Sequence, residues 1–165
     1  VMNANAIPRR TFQLRPLIFF ILITLGVGLF GGLLGGMVGY DVLTKPPLTP
    51  SASTFSAVWT VLYIMTGIAA YMVYNANDID SGRVLRLYLL QLLFNALWSL
   101  LFFRFGWRLF SFFWMLILIL LVSLVLAGFK YIRKSAYWLM IPYFLWLLFI
   151  TYVNLGFYLL NRVTG

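Results

Sequence analysis

All fifteen charged residues of this chain, twelve basic and three acidic, fall outside five long apolar blocks. The blocks cover about residues 17–40, 54–74, 87–103, 109–129 and 136–160. A hydrocarbon core about 30 Å thick is crossed by about 20 helical residues rising 1.5 Å each. Four blocks reach that length, and the third is extended by Arg86 and Arg104, whose long side chains can snorkel to the headgroups. Within lipid every backbone amide must be bonded inside its own segment, so each block reads as a helix. The expectation is an all-α membrane protein, a single five-helix transmembrane bundle spanning residues 1–165.

A mean hydropathy of +0.99 leaves no room for a separate soluble domain. The net charge of +9 is spread over block ends, where anionic lipid headgroups lie, rather than gathered into one patch. Membrane lipids are therefore the expected partners of these charges, and nucleic acid is not. Cysteine and histidine are both absent, which removes disulfides, Cys/His zinc sites and His or Cys ligation of haem iron. Glutamate is absent too, and Asp41, Asp78 and Asp80 lie outside the blocks, so no intramembrane carboxylate exists to couple transport to an ion. No catalytic residue, metal ligand or required cofactor is expected.

The first block follows Arg9, Arg10 and Arg15, as a secretory signal would, but its apolar run is too long for a signal core, so a retained span is expected. Numbering the connections alternately puts eight basic residues on the N-terminal side and four (Lys45, Arg104, Arg108 and Arg162) on the other. Positive charge favours the cytoplasm, which predicts a cytoplasmic N-terminus and a C-terminus on the opposite side.

Glycines in the first span form two ridges at four-residue spacing, Gly28, Gly32 and Gly36, and Gly31, Gly35 and Gly39. Such ridges let backbones approach closely, in a homodimer seam or, the preferred reading, inside the bundle. Three prolines (Pro46, Pro47 and Pro50) stiffen the next connection, a candidate lid or a plain connector, and Ser51, Ser53 or Thr54 can cap the second helix. Pro142 is expected to kink the fifth span.

Three spans carry mixed aromatic and polar stripes. They are Phe55, Trp59, Tyr63 and Thr66 in the second, and Gln91, Asn95, Trp98, Ser99 and Phe102 in the third. The fifth has Tyr143, Trp146, Ile150, Asn154, Phe157 and Asn161. Amides facing lipid are costly, so these stripes turn inward, either as interhelical hydrogen-bond glue or as the wall of an apolar pocket with few polar handles. Trp107, Trp138, Tyr131 and Tyr137 sit at block ends, as interfacial belts do.

At these stripes the chain resembles the translocator protein or tryptophan-rich sensory protein (TspO/MBR) family. The matching segments are Tyr40-Asp41 with Lys45-Pro46, residues 57–63 (AVWTVLY), residues 91–98 (QLLFNALW) with Phe102-Phe103, Gly106-Trp107, and residues 142–146 (PYFLW) with Phe149 and Asn154. The resemblance covers about residues 15–161, with Leu48, Ser51, Ser111 and Leu155 standing where the family pattern has tryptophan, proline, an acidic residue and tyrosine. It implies a five-helix bundle, commonly a homodimer, whose ligand pocket lies under the 41–53 connection. Porphyrins, haem-related tetrapyrroles or sterols would be its ligands. The candidate ligand-binding set is Tyr40, Trp59, Tyr63, Asn95, Trp98, Ser99, Trp107, Ser111, Trp146, Ile150 and Asn154. The function expected is a receptor or carrier for a flat apolar molecule, most of all a porphyrin. The alternatives are light-dependent porphyrin breakdown and a regulatory membrane partner without ligand turnover.

Overall fold

The computed structural model describes residues 11–36 and 40–162. Gly39, in the second glycine ridge, and Arg9 and Arg10 lie outside the described residues. Five helices follow one another: α1 (Leu14–Gly35), α2 (Ala52–Asn75), α3 (Ser81–Ser99, continued by a π-helical turn over Leu100–Arg104), α4 (Arg108–Ile132) and α5 (Lys134–Asn161). All five are long and apolar enough to cross a membrane, and the protein is a multi-pass integral membrane protein. The third span runs Ser81–Arg104, 24 residues, so the shortfall expected there does not exist. Charged residues flanking the apolar block continue the helix, and the apolar block marks depth in the bilayer rather than the helix end.

Each boundary has a local cause. Gly36 (φ +70°) ends α1 in the left-handed conformation, its N–H bonded to the Gly32 carbonyl at 2.9 Å. The Ser51 hydroxyl caps α2 by accepting from the Thr54 N–H at 3.2 Å. Before α3, the Asp78 side chain accepts from the Asp80 N–H at 2.9 Å, and the Ser81 hydroxyl donates back to the Val73 carbonyl at 2.9 Å. The π turn closes with the Phe105 N–H on the Leu100 carbonyl, and Gly106 (φ +66°) reverses the chain into α4. Arg133 alone, extended, separates α4 from α5. Helix α5 continues through Pro142 as one helix.

The helices form a ring in the order α1–α2–α5–α4–α3, with α2 and α3 also touching across it. Met115, Leu118, Val122, Val125 and Phe129 of α4 are fully buried against Met140, Tyr143 and Leu147 of α5. Leucine and phenylalanine cover the outside, where acyl chains are the solvent.

Helix α1 is held by backbone proximity. A Cβ added at Gly67 of α2 would stand 2.9 Å from the Ile21 Cα and 3.0 Å from the Phe20 carbonyl oxygen. One at Gly31 would stand 2.9 Å from the Ala96 Cα, and those at Gly28 and Gly35 would enter the Tyr63 ring and the Ser99 side chain. Gly28, Gly31 and Gly35 thus pack inside the bundle. Gly32, which the spacing grouped with Gly28, faces open space.

Thermal unfolding in detergent micelles checks this division. Gly67→Ala is expected to cost about 1–3 kcal/mol, because neither neighbouring backbone can yield cheaply. Gly26→Ala, where nothing lies within 4 Å, is expected to be neutral or to stabilise by up to about 1 kcal/mol through helix propensity.

Candidate functional site

The bundle interior near the 36–51 connection is built around Trp59, which is 6% exposed. Its indole stacks on Tyr63, the i+4 neighbour one turn along α2, with ring centroids 5.2 Å apart. It meets Trp98 of α3 at 6.4 Å, and Tyr143 and Trp146 of α5 edge-on at 6.1 and 6.5 Å. Phe55, one turn earlier, reaches Phe103 and Trp146. The stripes of the second, third and fifth spans therefore converge. Among the described residues, neither the Trp59 nor the Trp146 indole N–H has an acceptor.

Below this aromatic layer runs a directional chain of hydrogen bonds. The Tyr63 hydroxyl donates to Asn95 Oδ1 at 3.2 Å, and Asn95 Nδ2 donates to the Tyr143 hydroxyl at 2.7 Å. Tyr143 in turn donates to Gln91 Oε1 at 2.7 Å. Deeper still, the Thr24 hydroxyl donates to the Phe20 carbonyl, which leaves the Tyr88 hydroxyl to donate to Thr24 at 2.6 Å. Four of the five helices are joined through these groups, whose alternative in hydrocarbon is to go unbonded.

A second polar knot lies at the α3–α4 end. Asn154 Oδ1 accepts from Trp98 Nε1 at 2.9 Å and lies 2.9 Å from the Ser111 hydroxyl, while Asn154 Nδ2 donates to the Arg108 carbonyl at 2.7 Å. This amide fixes the Trp98 ring and ties the first turn of α4 to α5.

A cavity of about 640 Å³ opens between α1, α2 and α3. Trp59, Tyr63, Asn95, Trp98 and Ser99 line it, together with Phe55, Phe103 and a wall of leucine and glycine from α1. Five of the eleven candidate residues thus share one mainly apolar space, in which Asn95 and Ser99 are the polar handles from α3 and Ser56 and Thr60 those from α2. Trp146 backs Trp59 from the α5 side without lining the cavity, and Ile150 is buried in the core. Ser111 and Asn154 are engaged with each other. Trp107 stands apart: it is 56% exposed and packs on Phe105 and Phe110 at the bundle surface. The spacing of polar and aromatic residues pointed to a pocket among the second, third and fifth spans. The structure fills that junction with rings and places the open space toward α1. The stripes included Phe55 but not Phe103, and they left out the α1 wall, because leucine and glycine carry no polar or aromatic signal.

Residues 40–51, which lead into α2, are strapped over the same end. Tyr40 is buried against Phe103 and Phe157, and its hydroxyl donates to the Pro50 carbonyl at 2.5 Å. Asn161, at the end of α5, grips both sides of Thr44: Oδ1 accepts from the Thr44 N–H at 3.0 Å and Nδ2 donates to its carbonyl at 2.9 Å. Tyr152 donates to the Pro47 carbonyl at 3.2 Å, and Pro46 sits over Gly156, where an added Cβ would come within 2.6 Å. Leu48, standing where the family pattern has tryptophan, holds φ +65° at the tip of the Pro46–Thr49 turn and is 82% exposed. Asn161 appeared in the fifth stripe, but its loop partner could not be read from spacing.

A profile of the TspO/MBR family matches residues 20–159. This chain belongs to the TspO/MBR family. It is similar to the tryptophan-rich protein TspO of Archaeoglobus fulgidus, 32% identical over 148 residues that cover 88% of this chain and 96% of the relative. It also resembles the tryptophan-rich protein TspO of Bacillus cereus, 33% identical over 124 residues (74% and 80% of the two chains). The tryptophan-rich sensory protein of Cereibacter sphaeroides is 33% identical over 116 residues (70% and 72%). The TspO/MBR match encloses every residue of the cavity wall and both polar knots.

Two outcomes are expected of this TspO/MBR site. Asn154→Leu leaves the buried Trp98 N–H without its acceptor and the Ser111 hydroxyl and Arg108 carbonyl with only each other, and should destabilise the bundle by about 2–3 kcal/mol, whereas Trp107→Ala should change thermal stability little. Burial first, and the Asp41 carboxylate second, hold the Tyr40 phenol above its ordinary pKa of 10.0. A raised folded-state pKa means that this stability is complete below the unfolded value and is lost as pH rises through the folded one. Unfolding followed from pH 9 upward should therefore show an alkaline loss beginning near about pH 10 that Tyr40→Phe reduces.

Proposed function

We propose that this protein is a membrane receptor or carrier for a flat apolar ligand, a porphyrin or related tetrapyrrole, held in the cavity between α1, α2 and α3. The observation that carries the reading is the wall itself: indole and phenyl faces with a few polar groups around about 640 Å³, within the range of about 300–1,000 Å³ usual for small-molecule sites. Trp59 and Trp98 offer ring faces to stack on, each such contact adding about 0.5–1.5 kcal/mol beyond area burial. Asn95 and Ser99 give direction, and the Trp59 N–H, without an acceptor among the described residues, suits a ligand that brings a carbonyl or carboxylate oxygen. Names of relatives that include "sensory protein" and "translocator protein homolog" accord with a ligand-responsive membrane protein. In this reading the protein works as a homodimer, with its N-terminus cytoplasmic.

The chain has no histidine or cysteine, so neither can serve as an axial ligand to a haem iron in this binding mode. Titration of tryptophan fluorescence in nanodiscs should give saturable quenching by protoporphyrin IX, with haem binding about as tightly as the metal-free ring. Trp59→Leu should weaken binding by about 2–10-fold. Absence of saturation, or haem affinity far above that of protoporphyrin together with a ligation-type absorbance shift, would overturn the assignment.

A further inference from the structure

The cavity is open on the lipid side, and its rim is made by the helix with least of its surface inside the bundle. Leu22, Leu29 and Leu33 of α1 line the cavity while being 62%, 65% and 72% exposed. Facing them across the opening, Ser56 and Thr60 of α2 line the cavity and are also exposed. Leu22 to Leu33 covers about 16 Å of helix axis, from mid-bilayer to the end bearing the 36–51 connection. That connection, by contrast, is closed by the Asn161 grip on Thr44, the Tyr40–Pro50 bond and the seating of Pro46 on Gly156.

The α1 glycines divide into two kinds at this opening. Gly28, Gly31 and Gly35 are consumed by contact, whereas Gly26 and Gly32 line the cavity with nothing among the described residues within 4 Å of an added Cβ. Helix packing gives no reason for a side chain to be missing at the latter two. Behind the opening, Trp59 is buried to all but 6%, lines the cavity and carries an indole N–H with no acceptor among the described residues.

From this arrangement we infer that the cavity exchanges its occupant sideways with the bilayer, through a window between α1 and α2 whose clearance is set by Gly32 and, deeper, by Gly26. The inference rests on the cavity being a ligand site. Its occupant is a molecule dissolved among the acyl chains, with an apolar body and an oxygen function. The body passes between leucine side chains at the rim. The oxygen can be handed from the Ser56 and Thr60 hydroxyls inward to Ser99, Asn95 and the Trp59 N–H. A ligand taking this path never leaves a low-dielectric medium, so the strap over the bundle end can stay fastened during exchange.

Stopped-flow quenching by protoporphyrin IX in phosphatidylcholine nanodiscs tests the route, with Gly32→Ala and Gly32→Leu compared against Asn161→Ala. Narrowing the window should slow entry and exit in step, slightly for alanine and at least about tenfold for leucine, with the equilibrium affinity nearly kept. Releasing the strap through Asn161→Ala should leave both rates unchanged. Should the leucine variant fail to bind at all, the alanine variant, too small to fill the cavity, decides by its two rates. Unchanged rates in the glycine variants, or weaker affinity produced by faster exit alone, would overturn the window. So would a shift in oligomeric mass with rates preserved, which would assign this face to a second copy of the chain. If the wild-type protein itself shows no saturable quenching, the ligand reading falls and the window with it; wild-type binding with unaltered variant rates removes the window only.

Discussion

Acyl chains are as apolar as leucine, so the five helices gain little by hiding leucine from lipid. What holds them together is the cost of leaving polar groups unbonded and the dispersion gained where backbones can touch. The first force acts at Tyr63, Asn95, Tyr143 and Gln91, and again at Asn154, where one amide serves three partners on two other helices. The second acts at Gly67 and Gly31. Because these contacts are few and local, their placement decides which parts of the ring are tight.

The result is an uneven bundle. Helices α4 and α5, joined by one residue, share the most extensive contact and a fully buried aliphatic seam. Helix α1 touches α2 and α3 mainly where glycine or alanine lets it, and between those points a space remains. Trp59 sits at the border of the two regimes. Its ring is clamped by α3 and α5 aromatics on one side and looks into the open volume on the other. A rigid platform beside a yielding wall is what a binding site needs if its contents must come and go.

Much of this was legible in the residues alone. Charge exclusion located the spans, and the requirement that amides turn inward brought Trp59, Asn95, Trp98 and Tyr143 to a common interior. Helix ends were less legible: Arg83, Arg86, Arg108 and Lys130 are helical, since a helix does not stop where the hydrocarbon does. Spacing also could not tell which of the inward residues would fill space and which would border it. Asn154 and Ser111 bond each other away from the cavity, whereas Asn95, bonded to Tyr63 and Tyr143, also borders it, and that difference depends on side chains contributed from distant segments. The α1 wall carried no signal, because a leucine against lipid and a leucine against a cavity are the same letter.

The grip of Asn161 on Thr44 joins residues 117 positions apart. During synthesis at about 5–20 residues per second, the first extramembrane segment emerges on the order of ten seconds before its fastening exists. Until the last helix is threaded through the bilayer, that segment has no anchor on α5, and Gln91, Asn95 and Trp98 of α3 and Ser111 of α4 must wait for their polar partners on it. Assembly of this bundle is therefore governed by its final insertion event. A lesion near the C-terminal end of α5 would be felt first at the opposite end of the chain, as a failure to close the connection between the first two helices.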